Sequence, residues 1–271
     1  MLCASAPWGA QECPCPWRRP SGARGRARQP CVLGRGRGQA DGGGDGTVES
    51  GDEAKAEDGP GLANVEAAPR EAVLRACLGA TAAMAGIGVG TRAVTHGMEV
   101  AGAIPVGMDL AASLPFFPAH DAAPAAVAAG LAAGLAVTAA RFALLQSGVW
   151  PAFRDETDRS NATVLPALGT LDVVVVALLP AWSEEVLFRG VLLPALGGGP
   201  VGVLASGAAF GALHRGGGRG WAFAAWATAV GCLYGATAMA WHAILPAAVA
   251  HGTGNLSSAA LWRALRGQRG E

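Results

Sequence analysis

Lysine occurs once in the 271 residues, at Lys55, and charged side chains of all kinds make up only 15% of the chain. Twenty basic residues balance twenty acidic ones, so the chain lacks the net charge expected of a nucleic-acid-binding domain or of an enzyme for acidic substrates. Cysteine is scarce where a core could form. Of the six, Cys3, Cys13, Cys15 and Cys31 fall within the first forty residues, leaving Cys77 and Cys232 for the rest. That distribution excludes a disulfide framework and a cysteine-based zinc site. The first forty residues also lack the uninterrupted apolar run of about 7 to 15 residues that a secretory signal requires.

What the chain has instead is apolar length: 51% of its residues are hydrophobic and 41 are glycine. Residues 1–40 carry Arg18, Arg19, Arg24, Arg26, Arg28, Arg35 and Arg37, with Glu12 as their single acid. Such a segment cannot build a core and reads as a disordered organellar transit peptide. A basic tail, or a misassigned start, are the alternatives. Residues 41–66 turn to Gly, Asp and Glu, which bury too little apolar surface to offset chain entropy, and read as a linker.

A helix needs about 20 predominantly apolar residues to cross a bilayer. Ala122–Ala140, Trp221–Trp241 and Ala243–Trp262 supply that length without a formal charge. Pro166–Leu193 is long enough but carries Asp172, Glu184, Glu185 and Arg189, Val201–Leu213 is short, and Ala76–Thr91 and Val100–Ala119 are marginal by composition. The expected fold is an all-α, polytopic transmembrane helical bundle of about six to seven spans. Residues 67–160 form its N-terminal helices and residues 161–271 the half that carries chemistry. The four-residue spacings Gly86/Gly90, Gly130/Gly134 and Gly231/Gly235 favour close helix contact. Arg154 and Arg159, Arg215 and Arg219, and Arg263, Arg266 and Arg269 are expected in alternate loops, which the positive-inside rule places on the cytosol-like side.

Ionisable groups at membrane depth are costly and mark function. Here they are Glu184, Glu185, Arg189, His214 and His251. Glu185 and Arg189 stand four apart, which puts opposite charges on one helix face. Glu184 is turned about 100° from Glu185, away from that cation. His251 and Asn255 repeat the four-residue spacing on another helix and project together. Counted from the Gly197–Pro200 turn at about 1.5 Å per residue, Glu184 and His214 lie at one depth, roughly 20 Å away; counted from the turn at His242, His251 comes within reach of that depth. A carboxylate, two imidazoles and an amide gathered there can activate water on a peptide bond and stabilise the ensuing oxyanion.

Three motifs carry a family resemblance: Glu184-Glu185-Val-Leu-Phe-Arg189 is similar to EExxxR, Phe210-Gly-Ala-Leu-His214 to FxxxH, and His251-Gly-Thr-Gly-Asn255 to HxxxN. In this order they resemble the CPBP family of CAAX proteases and bacteriocin-processing enzymes, over about the last hundred residues. The resemblance implies an intramembrane endopeptidase, a glutamate/histidine peptidase acting on a membrane-anchored protein or peptide among membrane lipids. It implies Glu184 as base for water, and His214, His251 and Asn255 as metal ligands or direct polar catalysts, with Glu185 and Arg189 holding the site together. Zinc held by Glu184, His214 and His251 is one route; the other uses the same side chains without a metal. With the arginine-rich presequence, the resemblance implies a chloroplast membrane, thylakoid or envelope, with the mitochondrion as alternative. Two rival readings keep the polar cluster but not the hydrolysis: a membrane scaffold of the same fold, and a proton-coupled transporter.

Other residues read more plainly. His96 and His120 are expected in solvated loops and His242 at a turn. Phe210 reads as packing beside the site, Trp221, Trp226, Trp241 and Trp262 as interfacial or packing residues, and Asp172 as either a site residue or a hydrogen-bonded structural acid.

Overall fold

A computed structural model describes residues 65–105 and 109–269. The expected transit peptide, residues 1–40, and nearly all of the expected linker lie outside the described residues. The described part is helical: α1 (Arg70–Val100), α2 (Leu110–Ser113), α3 (Ala123–Ser147), α4 (Pro151–Val164), α5 (Thr170–Leu187), a π-helical segment (Phe188–Leu192), α6 (Leu193–Ala195), α7 (Gly199–Leu213), α8 (Trp221–Ala240) and α9 (Leu245–Arg269).

Among the described residues three helices are long and apolar enough to cross a bilayer, Arg70–Val100, Ala123–Ser147 and Trp221–Trp241. Their outward faces keep Ile87, Leu135 and similar side chains exposed, as do Val201 and Leu204 on α7. This is the reverse of a water-soluble surface and consistent with an integral membrane protein. Fewer helices meet the requirement than the six to seven expected. Helix α7 has only 15 residues, α5 is 18 residues with three acids, and α9 runs on into an arginine-bearing end. Val100–Ala119 is not a span: α1 ends at Val100, and the only helix in the described part of this stretch is the four-residue α2.

Glycine sets the closest helix contacts. A Cβ on Gly134 would lie 2.5 Å from the Ala250 carbonyl oxygen, and one on Gly130 would lie 2.6 Å from that of Pro246, so α3 seats backbone to backbone on α9. Gly231 does the same for α7 and α8, since a Cβ there would come 3.2 Å from the Gly207 Cα. The Gly86/Gly90 pair makes no such contact: among the described residues a Cβ at either position would meet nothing within 4 Å, and Gly88 between them faces Val186 of α5 instead.

Two arginine clusters expected in loops are helical. Arg154 and Arg159 lie on α4, and Arg263, Arg266 and Arg269 on the last turns of α9; only Arg215 and Arg219 occupy a loop. Helix α4 is polar in composition yet buries Phe153 and Thr157, and its Glu156 accepts the Phe223 N–H at 2.7 Å near the start of α8. A carboxylate there satisfies an amide that has no partner within its own helix and meets the positive end of the helix dipole. His96, expected in a loop, lies on α1 with its Nδ1 2.7 Å from Asp109 Oδ2. Asp172 is structural: it takes two bonds from Arg70, both 2.6 Å, and the Gly169 N–H at 2.8 Å, which ties the start of α5 to the start of α1.

The π-helical segment has a sequence cause. In an α-helix the Gly190 carbonyl would accept from residue 194, but Pro194 has no N–H to give. The ladder widens by one residue, with Leu193 N–H donating to Phe188 O, and Arg92 of α1 donates to the Gly190 carbonyl at 2.7 Å. Arg92 also donates to Leu110 and Leu114 carbonyls, so one buried guanidinium fastens α1 and α2 to the segment that follows the two glutamates.

Candidate active site

Glu184 and Glu185 stand near the end of α5, His214 caps the end of α7, and His251 lies in the second turn of α9. All four are buried, the two glutamates completely. Glu184 Oε2 is 3.7 Å from His214 Nε2 and 3.8 Å from His251 Nε2. Three separate helices therefore bring their polar atoms to one point.

The far side of each ring is anchored. His214 Nδ1 lies 2.7 Å from the Phe210 carbonyl, which can only accept, so this nitrogen carries the proton and the neutral ring presents an Nε2 lone pair to Glu184. The four-residue spacing of Phe210 and His214 thus does more than align two rings, since it also sets a tautomer. His251 Nδ1 lies 2.9 Å from Glu185 Oε1, and the same oxygen accepts from Arg189 Nη1 at 2.9 Å. Arg189, completely buried, donates its Nη2 to the Gly231 carbonyl at 2.5 Å and sits over the Phe210 ring, 4.9 Å from its centroid. The Tyr234 ring stacks on His251 with centroids 5.0 Å apart.

Asn255 is placed differently. Its Nδ2 donates to the Ala177 carbonyl at 3.3 Å, and its side chain lines a half-open cleft of about 50 Å³ together with His214, His251, Tyr234 and Arg141. The residue thus shares a cleft with the two histidines. Tyr234 and Arg141 were not among the residues singled out in the sequence. Each stands in an apolar helix, and the lone cation at 141, just past the expected end of its span, was the signal that could have found it.

The chemistry follows from the proton count. With each Nδ1 turned to its acceptor, the Nε2 atoms of both rings face one carboxylate oxygen of Glu184. A water molecule held among them can donate a hydrogen bond to the carboxylate and meet the ring nitrogens. The arrangement is built to draw protons from a molecule held between its members.

Zinc accepts donors of these types, and its imidazole ligands are commonly anchored through the other ring nitrogen as these are. Spacing is the difficulty. Ligands about 2.0–2.1 Å from a tetrahedral ion stand about 3.3 Å from one another, against 3.7 and 3.8 Å here. Among the described residues no group of three or more His, Cys, Asp or Glu side chains has the geometry to hold a metal. The site as placed suits a hydrogen-bonded water better than an ion.

Fold and site together define a helical bundle of membrane type with a glutamate and two histidines buried at its centre. Residues 166–257, which contain all three motifs, match the family described as type II CAAX prenyl endopeptidase Rce1-like. Neither the curated proteins nor the solved structures yield a match to the chain.

Proposed function

We propose that this chain is an intramembrane endopeptidase that hydrolyses a peptide bond in a membrane-anchored protein, with Glu184 as the base for the attacking water. The observation that carries this reading is the convergence of Glu184 Oε2 with the Nε2 atoms of His214 and His251 at 3.7 and 3.8 Å. A water held there gives one proton to Glu184 and its other hydrogen bond to an imidazole, and its oxygen attacks the carbonyl carbon of the scissile bond. The oxyanion that forms accepts from the second N–H of the Asn255 amide, which lines the same cleft. Glu184 then passes its proton to the departing amine, so the carboxylate is regenerated and protons balance. Glu185 and Arg189 act through His251, as positioning residues. The arginine-rich start of the chain supports a plastid membrane as the place of action.

The test is hydrolysis by the purified full chain in liposomes that also contain a membrane-anchored peptide library, with products identified by mass spectrometry. The reading expects cleaved peptides carrying one oxygen from solvent at the new carboxyl end. Stable association with membrane proteins and no cleavage by any preparation would favour the scaffold, and proton flux without cleavage the transporter.

A further inference from the structure

A second and larger cavity, about 90 Å³, opens between the end of α3, the helix α4 and the last turns of α9. Arg141, Arg154 and Arg266 line it, and its single acidic residue is Asp158. Asp158 lies 4.0 Å from Arg154, so three arginines and one acid line the cavity. Arg141 is the telling member. Its guanidinium faces the Phe223 ring at 5.7 Å, and the Asp158 carboxylate that acts on it is shared with Arg154. It stands six residues before Ser147, the last residue of α3, and so about 9 Å inside the helix end. A cation at that depth in an apolar helix calls for an anionic partner.

The rest of the lining describes that partner. Leu145, Leu261 and Leu265 supply an apolar part of the lining, and Arg266 is held over the Trp262 ring at 4.8 Å. Basic pockets between membrane helices, near the level where lipid headgroups lie, bind lipid phosphates. We infer that this cavity binds the phosphate of an anionic membrane lipid, with its acyl chains along the apolar lining that α3 and α9 supply. Arg141 and Ser258 also line the cleft beside His214 and His251, so the occupant forms part of the wall of that cleft.

The test is a binding measurement and does not depend on hydrolysis. The full chain is exchanged into bilayer nanodiscs of equal phosphatidylglycerol and phosphatidylcholine, and retained lipids are counted by native mass spectrometry. Wild type is expected to retain phosphatidylglycerol preferentially, and each of Arg141→Gln and Arg154→Gln to reduce that preference by about fivefold. Arg75→Gln, which removes an exposed charge on α1 away from the cavity, is expected to change nothing. Arg154 is about half exposed, so its variant keeps the test readable if Arg141→Gln fails to fold. Equal retention of the two lipids by wild type, or full preference in a folded Arg154→Gln protein, would overturn the assignment. Inorganic phosphate that stabilises the detergent-solubilised chain as well as phosphatidylglycerol does would assign the cavity to a soluble anion and overturn it too.

Discussion

One oxygen of Glu185 holds His251: Oε1 lies 2.9 Å from the His251 Nδ1 across the contact between α5 and α9, and the same atom takes a hydrogen bond from Arg189. A single acceptor thus sets the orientation of a site ring and neutralises a completely buried cation.

Removing that acceptor should separate stability from activity. Glu185→Ala strands the Arg189 charge and is expected to cost about 3–5 kcal/mol in thermal unfolding of the detergent-solubilised chain. Glu185→Ala combined with Arg189→Met should recover most of that loss, because no buried charge is left uncompensated. Cleavage should stay about 10–100-fold below wild type in the double variant, since His251 has lost its anchor. Recovery of both quantities together would mean that Glu185 acts only in folding.

The separations of 3.7 and 3.8 Å at Glu184 predict that turnover survives metal removal. Activity after dialysis against a strong zinc chelator should remain within about twofold of the untreated protein. Loss of activity that returns on adding zinc would show that the three side chains close around an ion during the reaction.

Glycines at the helix contacts should divide into two kinds. Gly134→Ala puts a methyl group 2.5 Å from the Ala250 carbonyl and should destabilise the chain by about 1–3 kcal/mol, because α3 and α9 must part. Gly90→Ala meets nothing within 4 Å among the described residues and should be neutral or stabilise α1 by up to about 1 kcal/mol. Thermal unfolding of the two variants side by side decides this.

Much of the fold was legible because its signals are local. Apolar length marked α3 and α8, and helix rise counted from the Gly197–Pro200 turn put Glu184 and His214 at one depth, where the structure has them 3.7 Å apart. Four-residue spacing marked the Glu185–Arg189 pair, found at 2.9 Å. What stayed hidden depends on partners distant in sequence. Helix α4 looks like a polar loop because its composition is hydrophilic, and only the burial of Phe153 and the bond from Glu156 to α8 give it a place. The Gly86/Gly90 spacing marked the wrong face of α1, since spacing gives a face but not its neighbour, and Gly88 is the residue that meets α5. The widened turn at Phe188–Leu192 was readable in principle from Pro194, but the arginine that takes the released carbonyl comes from position 92, nearly a hundred residues earlier.

The most direct measurement is the turnover of a membrane-anchored peptide by wild type and Glu184→Gln protein in the same liposomes. Glutamine keeps the shape of the side chain and removes its ability to take a proton. Cleavage by Glu184→Gln is expected to fall by at least about a hundredfold while the unfolding temperature stays close to that of wild type. A folded Glu184→Gln protein that cleaves at the wild-type rate would contradict the role of Glu184 as base.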